Sequence, residues 1–125
     1  MTDLFSTLHF YNMFLVFATS TISGLWGLVL WFRKQVMNRP WRISLIIAGA
    51  VGALQGVFGI ILVLLGETPK DNLHYVYGGI VALGYIVAIA LTTGGRNKRL
   101  DVLIYSLAAL AIAAAGVRAF MTGPK

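Results

Sequence analysis

The 125-residue sequence has no cysteine, three prolines, two histidines and four acidic residues, and only 11% of it is charged. Without cysteine there are no disulfides, no thiolate metal sites and no covalently attached c-type heme. Soluble domains carry about 25% charged residues; a chain with less than half of that does not belong to the soluble globular class. No stretch offers a Walker loop, a Rossmann unit or a zinc-finger spacing.

What the chain does have is apolar length. Hydrophobic residues make up 58% of it, and the mean hydropathy is +0.83. Four long apolar runs cover residues 8–32, 43–65, 73–93 and 100–122, with lengths of 25, 23, 21 and 23 residues. Each reaches the roughly 20 residues that a helix needs to cross about 30 Å of hydrocarbon. Together they take up 92 of the 125 residues and leave almost nothing for an aqueous domain. The expected fold is an all-α membrane protein: one four-helix transmembrane domain over residues 1–125, in an up-down-up-down bundle of two similar hairpins. The first run is too long for a signal-peptide core and lacks a basic segment before it, so it reads as a retained helix.

The net charge of +6 does not point to nucleic acid, because of where the charges sit. Seven of the ten basic residues fall in two short connections: Arg33, Lys34, Arg39 and Arg42 after the first run, and Arg96, Lys98 and Arg99 after the third. The middle connection, residues 66–72, carries Lys70 against Glu67 and Asp71. Short basic loops stay on the cytoplasmic side. Both termini are therefore expected on the outer or periplasmic side of a plasma or inner membrane, with the basic loops against anionic headgroups. Trp31 and Trp41 flank the first basic loop as interfacial aromatics do, and Tyr11, Tyr75 and Tyr77 read as the outer aromatic belt. Asn38-Arg39-Pro40, Gly94-Gly95, Gly66 to Pro69 and Gly123-Pro124 supply turn chemistry.

The chain also resembles itself. Leu8-His9-Phe10-Tyr11 opens the first run, and Leu73-His74-Tyr75 with Tyr77 opens the third, 65 residues later. This repeat pairs the only two histidines, at the outer starts of alternate helices, which face each other across a four-helix core. Two neutral imidazoles meeting there suit the axial positions of a b-type heme. A single histidine at that depth reads more readily as an interfacial ring bonded to headgroups or water; the matched pair favours ligation. Zinc is a poor fit for two histidines without cysteines or nearby acids.

Small residues recur on the helix faces. Gly49, Gly52, Gly56 and Gly59 share one face of the second helix, and Ser20, Ser23, Gly24 and Gly27 lie in the first. Close helix packing is the usual use of such stripes. Gly78, one turn after His74, is the better candidate for clearance around a porphyrin. Arg118 lies inside an apolar run near the outer end of the fourth helix; it reads either as a partner for heme propionates or as a side chain snorkelling to headgroups. Gln55, in the second helix, is expected to make an interhelical hydrogen bond.

Leu54-Gln55-Gly56, Gly59, Val63-Leu64, Gly66, Pro69 and Leu73-His74, with His9 upstream before a basic loop, resemble the heme A synthase family. Almost the whole chain matches one four-helix half of that eight-helix enzyme. The resemblance implies a four-helix bundle with an outer-side heme held by His9 and His74. The chain departs from the family in having Ser6-Thr7-Leu8 where a carboxylate stands shortly before the first histidine, and in lacking the second bundle and the outer-loop cysteines.

The leading expectation is a non-catalytic b-type heme protein: an electron-transfer or accessory subunit of a respiratory or photosynthetic complex. His9 and His74 would be its iron ligands, with Arg118 and Gly78 beside the cofactor. The alternatives are a heme-free structural subunit and, third, a synthase-like enzyme acting as a homo-oligomer. The expected partners are the lipid bilayer and a larger membrane complex or further copies of the chain, not nucleic acid.

Overall fold

The computed structural model describes residues 2–123. It contains four helices, α1 (Thr2–Phe32), α2 (Arg39–Leu64), α3 (Leu73–Leu91) and α4 (Lys98–Thr122). All four are long and apolar enough to cross a membrane. Pro124, part of the last turn motif, lies outside the described residues.

Local chemistry sets the ends. Asn38 caps α2, its side-chain oxygen accepting from the Trp41 N–H at 2.9 Å, with Pro40 in the first turn where no donor is needed. Asn97 caps α4 in the same way by accepting from the Leu100 N–H at 3.0 Å. After α2 the chain reverses at Gly66, whose φ of +91° favours glycine. The α2–α3 loop then turns back onto α4. Its Lys70 and Asp71 N–H groups donate to the carbonyls of Gly123 and Thr122, which otherwise end a helix unsatisfied.

The helices form a ring in which α1 packs on α2 and α4, and α3 on α4 and α2; the α1–α4 contact is the most extensive and α2–α3 the least. Between neighbours, contact positions rise on one helix as they fall on the next: Asn12 meets Gln55 and Ser23 meets Ser44, while Gly49 meets Tyr85 and Gly52 meets Val81. Across the ring the numbers rise together, as His9 faces His74 and Ser20 faces Tyr85.

The interior is small and partly polar. Asn12, Ser20, Ser23 and Ser106 are buried beside Val16, Val81, Ala109 and Ile112, while large apolar side chains such as Phe32, Ile60, Leu64 and Leu91 face outward. That distribution reverses the usual arrangement in water. One sequence expectation is corrected here. Trp41 is not an interfacial aromatic: it is fully buried, and its indole N–H donates to the Ser23 carbonyl at 2.9 Å. Gly27 makes room for its ring. Trp31 is partly exposed, with the Arg99 guanidinium 4.8 Å from its ring centre.

Candidate cofactor-binding site

Hydrogen-bonded and glycine-lined positions build the end of the bundle that carries both histidines. On α1, Asn12 donates to the Val51 carbonyl at 3.1 Å and to the Gln55 side-chain oxygen at 2.9 Å. Gln55 in turn donates to the His9 carbonyl at 2.8 Å. This relay fixes the turn that carries His9 against α2. On the opposite side, His74 Nδ1 lies 2.8 Å from the Ala119 carbonyl. A carbonyl only accepts, so Nδ1 carries the proton and Nε2 keeps its lone pair. Metal-bound histidines are oriented by this kind of bond.

The two imidazoles converge, with ring centres 6.1 Å apart and planes at 72°. Two imidazoles bonded to one metal at about 2 Å each have their ring centres roughly 6 Å apart. Among the described residues the buried His9 Nδ1 has no hydrogen-bond partner, an arrangement that is costly for a polar atom. Both rings line a cavity of about 800 Å³ that runs between α2 and α3 and is bounded by Phe10, Met13 and Val81. Its volume falls within the range of small-molecule and cofactor sites.

Glycine makes the space. Gly78 and Gly79 have nothing within 4 Å of where a side chain would begin. A Cβ on Gly59 would stand 3.4 Å from the His9 ring, and one on Gly123 would stand 2.7 Å from the His74 ring. Deeper in the bundle the same α2 stripe is closed. A Cβ on Gly52 would sit 2.6 Å from the Val81 carbonyl, and one on Gly56 would sit 2.7 Å from Ala82 Cβ. The stripe is thus packing at Gly52 and Gly56, and cavity wall at Gly59.

Of the residues singled out in the sequence, His9, His74 and Gly78 come together at this cavity. Arg118 is exposed on the outer surface, its guanidinium 5.6 Å from the centre of the Tyr77 ring. Among the described residues no group of three or more histidine, cysteine or acidic side chains is placed to hold a metal ion. Two interior residues escaped the sequence reading. Asn12 is one. The other is Tyr85, whose hydroxyl donates to Ser20 across the bundle at 3.1 Å. Ser20 and Tyr85 are separated by 65 residues, the same offset as His9 and His74, and each stands 11 residues, or three helical turns, beyond its histidine. Applying the repeat offset to Ser20 finds Tyr85.

Comparison of the chain with family models, with curated proteins and with solved structures finds no match.

Proposed function

We propose that this chain is an integral membrane b-type heme protein whose four helices cross the bilayer up-down-up-down with both termini outside. In this reading it acts as an electron-transfer or accessory subunit of a larger respiratory or photosynthetic membrane complex. The observation that carries the proposal is the convergence of the only two histidines, with ring centres 6.1 Å apart, on a glycine-walled cavity. His9 and His74 would hold the iron, and Gly59 and Gly78 would leave room for the porphyrin. Heme ligated in this way supplies one-electron transfer with no open position for oxygen.

The protein's own residues have defined tasks. The Ala119 carbonyl orients His74 through Nδ1. The Asn12–Gln55 relay holds the His9 turn. Phe10, Met13 and Val81 line the cavity with apolar side chains that would limit water at a bound cofactor. No carboxylate directly precedes His9, where the synthase family places one; the carboxylate at this cavity is Glu67, in the α2–α3 loop.

The test is the visible spectrum of the purified protein. The expected result is a low-spin b-type spectrum with sharp α and β bands on reduction, lost or converted to high spin in both His9→Ala and His74→Ala. A protein isolated intact with its partners and without Soret absorption of its own would overturn the heme reading. It would leave a structural subunit in which His74 serves only to cap α4.

A further inference from the structure

A second cavity, of about 740 Å³, opens at the other end of the α2–α3 seam. Its floor is apolar, with Leu45 and Ile46 on α2 and Ile86 and Ile89 on α3. Ile46, Ile86 and Ile89 are largely exposed, so the groove is open along the side of the bundle and not only at its end. Two cations stand at its mouth: Arg42 in the first turn of α2 and Lys98 at the start of α4.

One carboxylate, Asp101, lines the same cavity. Its oxygens are engaged by the α3–α4 loop: they accept from the Thr93 N–H at 2.7 Å, the Thr93 hydroxyl at 2.9 Å and the Gly95 N–H at 2.9 Å. Among the described residues the Arg42 side chain bonds only the Met37 sulfur, a soft partner 3.4 Å from its Nε. The groove therefore presents positive charge above a long apolar slot. A basic pocket between membrane helices on the cytoplasmic side is complementary to an anionic lipid headgroup, and its apolar floor to an acyl chain.

We propose that this groove is a binding site for one anionic phospholipid of the inner leaflet, its phosphate on Arg42 and Lys98 and an acyl chain along Ile46, Ile86 and Ile89. The proposal rests on the membrane placement above and not on heme. The site would join the loosest helix seam to the leaflet that the basic loops face.

The experiment is native mass spectrometry of the protein in neutral detergent, titrated with phosphatidylglycerol or phosphatidylcholine of identical chains. One phosphatidylglycerol per chain should be retained on the order of tenfold more tightly than phosphatidylcholine, the scale of one to two membrane-proximal cations. Arg42→Ala with Lys98→Ala should reduce retention to the phosphatidylcholine level. Arg33→Ala with Lys34→Ala, an equal charge loss outside the groove, should leave it unchanged. Ala53→Phe, in the groove wall, should lower retention of both lipids without altering charge. Should the alanine pair fail to fold, Arg42→Gln with Lys98→Gln carries the same test. Equal retention of the two lipids by the parent, or an equal loss in the Arg33/Lys34 variant, overturns the proposal. A chain that remains monomeric after detergent is removed overturns the membrane placement itself, which is a separate result.

Discussion

The α1–α4 and α2–α3 seams correspond under the 65-residue offset, yet they pack differently. Along α1–α4 small residues meet occupied positions: Gly24 lies under Leu110, and Gly27 lies under Ser106 and the Trp41 ring. The side chain opposite fills each gap, and the backbones approach closely. Along α2–α3 the seam closes only at a waist, where Gly52 meets the Val81 carbonyl and Gly56 meets Ala82. One turn further along α2, Gly59 faces the His9 ring, and on α3 Gly78 has nothing within 4 Å of where a side chain would begin; both line the histidine cavity. On the other side of the waist the seam opens again into the basic groove. A glycine filled from the opposite helix brings helices together, whereas Gly78, which nothing fills, leaves a hole. Both cavities open along the second seam, with His9 of α1 completing the wall of the first.

This contrast is tested most strongly by adding one methyl group to each seam. In Gly27→Ala the new methyl would stand 2.5 Å from the buried Trp41 ring, which has no free space to move into. Overpacking should cost about 3 kcal/mol, the upper part of its usual range. In Gly56→Ala the contact is Ala82, on a helix with cavities on either side of the waist, and the cost should be about 1 kcal/mol. Unfolding in detergent measures both. A Gly56 variant less stable than the Gly27 variant would mean that the α2–α3 seam is the rigid one.

Gly78→Leu sharpens the comparison from the cavity side. Nothing lies within 4 Å of the new Cβ, so the side chain enters empty space and stability should stay within about 0.5 kcal/mol of the parent. The same side chain would occupy the space beside His74, so bound heme should fall to below about a tenth of the parent's, the loss expected when a well-packed site is overfilled. Full heme content in a stable Gly78→Leu protein would place the cofactor elsewhere.

Much of this architecture was legible in the sequence because bilayer-length apolar runs, asparagine caps and basic loops are local signals. The four helices begin and end within a few residues of the apolar runs, apart from α1, which starts at Thr2 instead of residue 8. The reason is that Ser6 and Thr7 are tolerated in a helix but interrupt an apolar count. Pairing His9 with His74 needed only the repeat. Trp41 and Arg118 were less legible, because the direction in which a side chain points depends on tertiary neighbours. Trp41 is one turn into α2, where an aromatic serves equally well as belt or core, and it goes inward because Gly27 leaves a slot on α1. Asn12 carries no local mark that separates it from an exposed asparagine; its burial depends on Gln55, 43 residues away.

The smallest effect is expected at Arg118. A cation inside an apolar run, near the histidine level, invites a role in holding propionates, but the Arg118 side chain is exposed and lies over Tyr77. Its other side-chain contact is the Met121 sulfur at 4.0 Å, which is too weak to fix a charge. Exposed cation–π pairs contribute about 0.5–1 kcal/mol, so Arg118→Ala should cost no more than about 1 kcal/mol of stability. The absorption bands and heme content should be those of the parent, because no atom that orients His9 or His74 is touched. The Thr122 hydroxyl, which lies 3.4 Å from His74 Nδ1, bonds the Arg118 backbone carbonyl, and that group survives the substitution. A shifted spectrum or lost heme in Arg118→Ala would mean that the guanidinium swings across α4 to the cavity when it is filled. The seam that holds the ligand would then extend around the outer end of the bundle, and the contrast between the two seams would hold only for the empty protein.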